Sequence, residues 1–153
     1  MKFKIGILGI IIIILDQFSK YFIQTNTLWQ NHIEIIPNFF YITYANNTGM
    51  GFSLLSGHTI LLAIVSMIVI LVIFYYYVKC DKKDVLSLVT YSLLIAGAIG
   101  NLIDRLYLGY VRDFLDFYIF GYDFPIFNIA DCAVTIGAIL LVLVFIKEER
   151  SNG

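Results

Sequence analysis

The chain has 153 residues, of which 60% are hydrophobic and 14% are charged, and its formal net charge is -1. This length holds one domain with little left for a second, and the composition lies far from that of an ordinary soluble domain. The near-neutral charge, without a basic stripe, argues against a nucleic-acid partner, and the two cysteines cannot build a disulfide framework. We therefore expect an integral membrane protein.

The first predicted membrane span covers about residues 5–24. It begins after Lys2 and Lys4 with an isoleucine-rich run that resembles the start of a secretory signal peptide. No small-x-small cleavage site interrupts the run, and it continues for the roughly 20 residues that a spanning helix needs. Asp16 and Lys20 lie on one face of this helix, near its outer end. Two interpretations stay open and are compatible: an ion pair that neutralises both charges, and support of a site at the outer surface.

The next segment, residues 25–56, contains no Lys or Arg and mixes β-branched and aromatic residues with a proline and an Asn-Asn-Thr-Gly run. This pattern predicts short strands and turns, which form a small β-rich platform outside the bilayer. Asn47 and Gly49 either form a turn or place an amide and bare backbone against a bound peptide. His32 and His58 lack the spacing of metal ligands, so we expect them on the surface.

Three further spans are predicted, at about residues 58–78, 85–105 and 127–146. The second span is apolar apart from small hydroxyl side chains, and it ends in tyrosines typical of a membrane interface. The third span carries a Gly-Ala-Ile-Gly run, which allows a neighbouring helix to approach closely. Residues 106–126 are aromatic and β-prone, and they are too polar to span the membrane.

The distribution of Lys and Arg residues predicts the orientation of the spans. One side of the membrane receives most of them: Lys2, Lys4, Lys79, Lys82, Lys83, Lys147 and Arg150. The positive-inside rule then places both termini in the cytoplasm and the aromatic segments outside. The predicted fold is an all-α membrane protein, a single domain over residues 1–153, with four transmembrane helices. A small β-rich platform and a loop lie on its extracytoplasmic side.

Acidic residues concentrate around the ends of the third and fourth spans. Between Gly100 and Val134 the chain carries Asp104, Asp113, Asp116, Asp123 and Asp131. Asp113 lies on the segment that connects these two spans, and Asp131 lies in the first turn of the fourth span. The connectivity therefore brings the two residues to the same outer end. Two carboxylates about 3 Å apart cannot both ionise comfortably, so one keeps its proton while the other acts as a general base. We hypothesise that Asp113 and Asp131 hydrolyse a peptide bond with a water molecule and need no metal, cofactor or covalent nucleophile.

Other interpretations of these polar residues stay open. Asn128 and Asp131 match a helix N-cap and the acid that accompanies it. Asp104 beside Arg105 is compatible with a local ion pair. The remaining two acids of the segment are expected to be solvated loop residues: Asp116 and Asp123.

Two functional classes compete with hydrolysis. A proton-coupled carrier or channel would use the acids as a relay, but a relay needs acids near the midplane of several helices, and here they cluster at one face. A structural membrane subunit would use the charges as ion-paired helix ends. That second class predicts that Asp113→Asn is tolerated.

Five stretches, in chain order, resemble the lipoprotein signal peptidase (signal peptidase II) family of bacterial membrane aspartic endopeptidases. They are DQFSK at 16–20, NTGMGF at 47–52, GNLIDR at 100–105, VRDF at 111–114 and FNIAD at 127–131. The resemblance implies cleavage of prolipoproteins just before their diacylglyceryl-modified cysteine, with Asp113 and Asp131 as the catalytic pair. It implies that further residues line or brace the pocket: Asp16, Lys20, Asn47, Gly49, Asn101, Asp104, Arg105, Val111, Asn128 and Ala130.

The resemblance also sets expectations about surroundings. We expect a monomer in the bacterial plasma membrane, in contact with lipid, with its active site at the extracytoplasmic face. Two departures from the family pattern stand out: Gly51, where the family often has Ala, and Arg112, where an apolar residue is common. A cation beside Asp113 would lower the pKa of its carboxyl group. We therefore expect the Arg112 side chain to point away, on the opposite face of an extended segment.

Overall fold

The structure, a computed structural model, describes residues 2–26, 29, 32–49 and 55–152. Its elements in chain order are α1 (Lys2–Thr25), β1 (Ile33–Ile36), β2 (Phe40–Asn47), α2 (Thr59–Lys79), α3 (Val85–Leu108), β3 (Val111–Ile119), β4 (Tyr122–Asp123) and α4 (Ile129–Asn152). Over these ranges, four helices are long and apolar enough to cross a membrane. The four predicted spans are confirmed as helices, and α3 runs one turn further than predicted, to a left-handed cap at Gly109.

Helix α3 occupies the centre of the bundle, where it contacts the other three helices. The Gly-Ala-Ile-Gly run makes this possible. A Cβ atom on Gly97 would lie 2.6 Å from the side chain of Val134, and one on Gly100 would lie 2.7 Å from Oδ2 of Asp16. Because real Cβ atoms do not come so close to other atoms, the two glycines set the approach of α1 and α4 to α3.

The four strands form one antiparallel sheet in the order β1-β2-β3-β4. Strand β2 pairs with β3, so that Ala45 lies opposite Asp113 and Asn47 opposite Val111, with a register shift between Ile42 and Ala45. The β-rich platform is confirmed, but it also includes the second aromatic segment, which was predicted as a separate loop. Asp113 therefore lies on a paired strand that the backbone ladder fixes in place.

The start of α1 and the later part of α4 lie at the opposite end of the bundle from the sheet. Lys2 Nζ donates to the backbone carbonyl of Val78 at 2.7 Å, which joins the start of α1 to the end of α2. Lys147 Nζ lies 2.8 Å from Asp84 Oδ1, which joins the end of α4 to the start of α3. Which of these ends faces the cytoplasm stays a prediction from the charge distribution.

Candidate active site

Asp113 on β3 and Asp131 on α4 are joined through amide side chains. Asn128 Nδ2 donates to Asp113 Oδ1 at 2.6 Å, and Asn101 Nδ2 donates to Asp131 Oδ1 at 2.7 Å. Asn128 Nδ2 also lies 3.1 Å from Asn101 Oδ1, which closes the chain between the two acids. The second oxygen of Asp113 accepts a hydrogen bond from Asn47 Nδ2 at 2.9 Å. The two acids thus share one polar site, built from β2, β3, α3 and α4.

The start of α4 fixes the orientation of Asp131. Its backbone N–H donates to Asn128 Oδ1 at 2.9 Å, and the Asn128 N–H donates back to Asp131 Oδ2 at 3.2 Å. This reciprocal pair is a capping box, which satisfies two backbone donors at the helix start. The capping interpretation is confirmed, and the same two side chains also contact the polar site, where their catalytic and supporting roles stay predictions. The cap uses the oxygen of the Asn128 amide and leaves its nitrogen to reach Asp113.

The carboxyl group of Asp113 has unusual electrostatics. Asp113 is only 2% exposed. Burial and the charge of Asp131 raise the pKa of Asp113 to about 7, although hydrogen bonds from Asn47 and Asn128 oppose the shift. Near neutral pH this group therefore lies between its protonated and ionised forms, as a carboxylate pair that shares one proton requires.

Next to these acids lies a buried cluster of four charged side chains, which we call the ion cluster: Asp16, Lys20, Asp104 and Arg112. Lys20 Nζ lies 2.8 Å from Asp16 Oδ2 and 3.5 Å from Asp104 Oδ2, and Arg112 Nη2 lies 2.7 Å from Asp104 Oδ1. The alternative of a local ion pair between Asp104 and Arg105 is not found among the described residues, where Arg112 and Lys20 pair with the Asp104 carboxylate instead. The Arg112 side chain turns toward α1 and α3, away from its neighbour Asp113.

The ion cluster is hydrogen-bonded to Asn101 and to the first turn of α4, which hold Asp131 in place. Lys20 Nζ donates to Asn101 Oδ1 at 3.0 Å, and Asn101 in turn holds Asp131. The backbone N–H of Ala130 donates to Asp16 Oδ1 at 2.8 Å, which ties the first turn of α4 to α1. Asp16 and Lys20 therefore form the ion pair of the first interpretation and also contact the polar site, whereas support of a site at the outer surface stays a prediction.

A cavity of about 250 Å³ opens beside these residues. Its walls include five predicted site residues: Asn47, Asn101, Arg105, Val111 and Asp131. Arg105 Nη2 donates to the backbone carbonyl of Gly49 at 3.0 Å, and the Gly49 N–H donates to Asn47 Oδ1 at 2.9 Å. Asn47 of the Asn-Thr-Gly stretch thus forms part of the wall, and Gly49 holds the Arg105 side chain. The continuation of this stretch, residues 50–52 with Gly51, lies outside the described residues.

An apolar cavity of about 390 Å³ adjoins the first and shares Asp131 with it. It runs along the first turns of α4, past Cys132 and Ile136, and both cavities include Phe124 and Thr135. Sequence reasoning missed these wall residues. Thr135 follows Asp131 by one helical turn, so its position on the same face was readable, but no pattern marked Phe124.

The acid Asp116 was predicted to be solvated, and this is wrong. Asp116 is buried, it accepts a hydrogen bond from Thr43 Oγ1 at 2.5 Å, and its Oδ2 lies 3.4 Å from His32 Nδ1. Pairing of β3 with β2 covers this side chain, which a loop would have left in water. Asp123, His32 and His58 are exposed, as predicted.

The chain is similar to known proteins over nearly its whole length. Residues 8–147 match the model of a family described as signal peptidase (SPase) II. Two lipoprotein signal peptidases of Staphylococcus aureus, strains JH9 and Newman, are each 41% identical to it, over 99% of this chain and 94% of theirs. Two solved structures of bacterial membrane enzymes superpose with TM-scores of 0.88 and 0.82, at 40% and 42% identity. They cover 97% and 93% of this chain, and 91% and 92% of their own.

Proposed function

This chain belongs to the signal peptidase II family of membrane proteases, and we propose that it removes the signal peptide from bacterial prolipoproteins. In this proposal it hydrolyses the peptide bond just before the diacylglyceryl-modified cysteine. The observation that carries the proposal is the amide chain from Asp113 to Asp131, beside a cavity that Asp131 lines. This arrangement holds two carboxyl groups with different surroundings at one proposed reaction site.

The two acids take complementary roles. The raised pKa of Asp113, about 7, supports a protonated carboxyl that donates a hydrogen bond to the scissile carbonyl oxygen. Asp131 lines the cavity, which supports its role as the ionised base. Water oxygen adds to the carbonyl carbon as one water proton passes to Asp131 and the carbonyl oxygen takes the proton of Asp113. The C–N bond then breaks as Asp131 protonates the leaving amine and Asp113 recovers its proton.

The other polar residues hold this pair in place. Asn47 and Asn128 bind the two oxygens of Asp113, and Asn101 binds Asp131. The ion cluster braces Asn101 and the start of α4 from the side away from the cavity. Arg105 and Val111 complete the cavity wall, with Gly49 as the anchor of the Arg105 side chain.

The apolar surroundings support a lipid-modified substrate. The 390 Å³ cavity meets Asp131 and is lined by apolar side chains such as Phe124, Phe127 and Ile136, which suit acyl chains. A bond next to a lipid anchor lies at the membrane surface, where we expect the outer end of a span to hold the two acids. We propose that the protein works as a monomer in the bacterial plasma membrane, with this site on the extracytoplasmic face, as the positive-inside rule predicts.

Substitution of each acid tests the proposal. Purified protein in lipid nanodiscs is given a diacylglyceryl-modified prolipoprotein, and turnover is compared for the parent, Asp113→Asn and Asp131→Asn. We expect each variant to lose about 10²–10⁴-fold or more of its rate, because each removes one proton-transfer group. Asp123→Asn is the matched control, since Asp123 is an exposed acid of the same segment and should leave turnover unchanged. Turnover retained by either site variant would refute the two-acid mechanism.

A further inference from the structure

In the part of the chain that the structure describes, seven charged side chains lie in or beside the candidate active site, and their charges do not cancel. Four are acids and three are bases: Asp16, Asp104, Asp113 and Asp131, with Lys20, Arg105 and Arg112. With all of them ionised, the group carries one excess negative charge. A low-dielectric site disfavours such an excess, and binding of one proton removes it. The protein groups therefore favour a state in which the acids hold one proton in total.

Arg112 is the base that completes this balance, and it is held by an extensive set of contacts. Its Nε lies 3.1 Å from Asp104 Oδ2 and its Nη2 2.7 Å from Asp104 Oδ1, a two-point pairing with the carboxylate. Its backbone N–H also donates to Asp104 Oδ2 at 2.9 Å. The outer nitrogens reach Gln24 Oε1 and Gln17 Oε1, each at 3.0 Å. A planar guanidinium suits this set of acceptors better than an ammonium does.

The same residue links the ion cluster to the two acids. Arg112 directly precedes Asp113 on β3, and its carbonyl lies 3.4 Å from Asn128 Nδ2. If its cation is removed, the only base left within 4.0 Å of Asp104 is Lys20, among the residues that the structure describes. Lys20 is then drawn toward Asp104 and away from Asn101, which it now contacts at 3.0 Å. Since Asn101 holds Asp131, loss of the Arg112 cation reaches the reacting pair in two ways, by charge and by position.

We propose that Arg112 is a positioning residue that sets the pH range in which Asp113 and Asp131 share one proton, through its pairing with Asp104. This inference rests on the proposed two-acid hydrolysis and adds a control of its pH range. Asp104 is thereby neutralised by Arg112, while Lys20 stays on Asp16 and Asn101.

The neighbouring groups that also bear on this pH range come from every element packed around the site. They are Asp16 and Lys20 on α1, Tyr44 on β2, Asp104 and Arg105 on α3, and Cys132 on α4. The variants below leave Asp16, Lys20, Arg105, Tyr44 and Cys132 in place. A change in pH dependence among the variants therefore follows from Arg112 and its partner Asp104.

The test measures prolipoprotein cleavage as a function of pH, from mildly acid to mildly alkaline, for Arg112→Gln and Arg112→Lys. Arg112→Gln keeps a polar side chain but removes the charge, so both limbs of the rate profile should move to higher pH by roughly half a unit to one unit. Arg112→Lys keeps the charge but loses the planar fork. Its limbs should stay in place, while its maximal rate falls by less than about tenfold.

Two further variants separate charge from packing. Gln24→Leu removes a neutral partner of the same guanidinium and should leave the limbs unchanged. Arg112→Gln combined with Asp104→Asn removes one charge of each sign, so its limbs should return toward those of the parent. The melting temperature of each variant confirms that it is folded.

The outcomes distinguish the inference from the function on which it rests. If Asp113→Asn or Asp131→Asn stays active, the two-acid mechanism fails, whatever the Arg112 variants do. If those two are inactive and the limbs of folded Arg112→Gln do not move, only the role of Arg112 is overturned. Equal shifts in the Gln and Lys variants, or a shift in the double variant as large as in Arg112→Gln, also overturn it, because charge would not then be the cause.

Discussion

The two ends of the helical bundle each carry a Lys–Asp pair with the same separation of 2.8 Å, yet the pairs differ in surroundings. In the pair of Lys20 with Asp16, the side chains are 0% and 1% exposed. In the pair of Lys147 with Asp84, they are 53% and 23% exposed. Distance alone would rate the two pairs as equal. Burial makes one pair part of the scaffold of the candidate active site and leaves the other as a surface contact.

The physical reason lies in what remains when one partner is lost. A buried carboxylate without its cation cannot be hydrated, so removal of one partner of a buried pair costs about 3–5 kcal/mol. An exposed carboxylate returns to water, and exposed pairs contribute only about 0–1 kcal/mol. The buried pair also has further polar partners, Asn101 and the Ala130 N–H, which depend on its geometry. The same two residue types therefore have different consequences at the two ends.

We expect the largest loss of stability from Lys20→Met, which removes the cation and keeps most of the side-chain volume. We expect the free energy of unfolding to fall by about 3–5 kcal/mol, because Asp16 is left buried without its pair. Prolipoprotein cleavage should also fall, since Asn101 loses its contact with Lys20. Thermal unfolding in one defined detergent measures the first effect, and initial rates measure the second.

A double substitution sharpens this prediction. Lys20→Met combined with Asp16→Asn leaves no unpaired charge from this pair, so it should be less destabilised than the sum of its single variants. A double variant that is as unstable as that sum would show that the two side chains do not act as a pair.

A second test uses pH and the acid Asp113. Its pKa rises from an ordinary 3.8 to about 7 on folding, so the folded chain binds the proton more tightly than the unfolded chain. The contribution of Asp113 to the free energy of unfolding is therefore unchanged below about pH 4, becomes less favourable as pH rises toward 7 by at most about 4 kcal/mol, and then levels off. Asp113→Asn removes this cost. The variant should gain melting temperature over the parent at alkaline pH, and gain much less at acid pH.

In this test the melting temperature of each protein at alkaline pH is compared with that of the same protein at acid pH. The part of any change in packing or hydrogen bonding that does not depend on pH affects both pH values alike. Asp84→Asn, at the other end of the bundle, should show no such gain at alkaline pH, because the pKa of Asp84 is lowered and not raised. An equal gain of Asp113→Asn at both pH values would contradict the raised pKa.

A third and smaller effect concerns packing at the same two ends. A Cβ atom on Gly100 would lie 2.7 Å from Asp16 Oδ2 and 3.0 Å from the Ala130 side chain, inside the site scaffold. Gly100→Ala should therefore cost about 1–3 kcal/mol in stability, as overpacking does. At the opposite end, the one described atom within 4 Å of a Cβ on Gly6 would be the hydroxyl oxygen of Tyr77, at 3.3 Å. Gly6→Ala should be nearly neutral, and equal melting temperatures for the two variants would refute the tighter packing at the site.

Hydropathy and charge predicted the four helices because lipid imposes long apolar runs whatever their partners. The resemblance of five stretches to a known family implied most of the candidate site, whereas helix positions by themselves indicated only which nearby residues, such as Asp16 and Lys20, share a face. Sequence-based prediction failed for side-chain contacts between residues that are far apart in the chain. Arg105 is the neighbour of Asp104 in the sequence, but Arg112 forms the ion pair with Asp104, because β3 brings the Arg112 guanidinium group back to α3. Asp116 was assigned to solvent because the pairing of β3 with β2 depends on residues far away along the chain.

The smallest expected effect is that of Lys147→Met, the matched counterpart of Lys20→Met. It breaks an ion pair of equal length, yet we expect at most about 1 kcal/mol, because Asp84 can be solvated. Asp84 also keeps its hydrogen bonds from the N–H and hydroxyl of Ser87, so the cap of α3 remains. The small effect should shrink further with added salt, which screens exposed charges. If Lys147→Met instead costs as much as Lys20→Met, burial is not what separates the two ends, and the site scaffold owes its rigidity to the helices rather than to its charges.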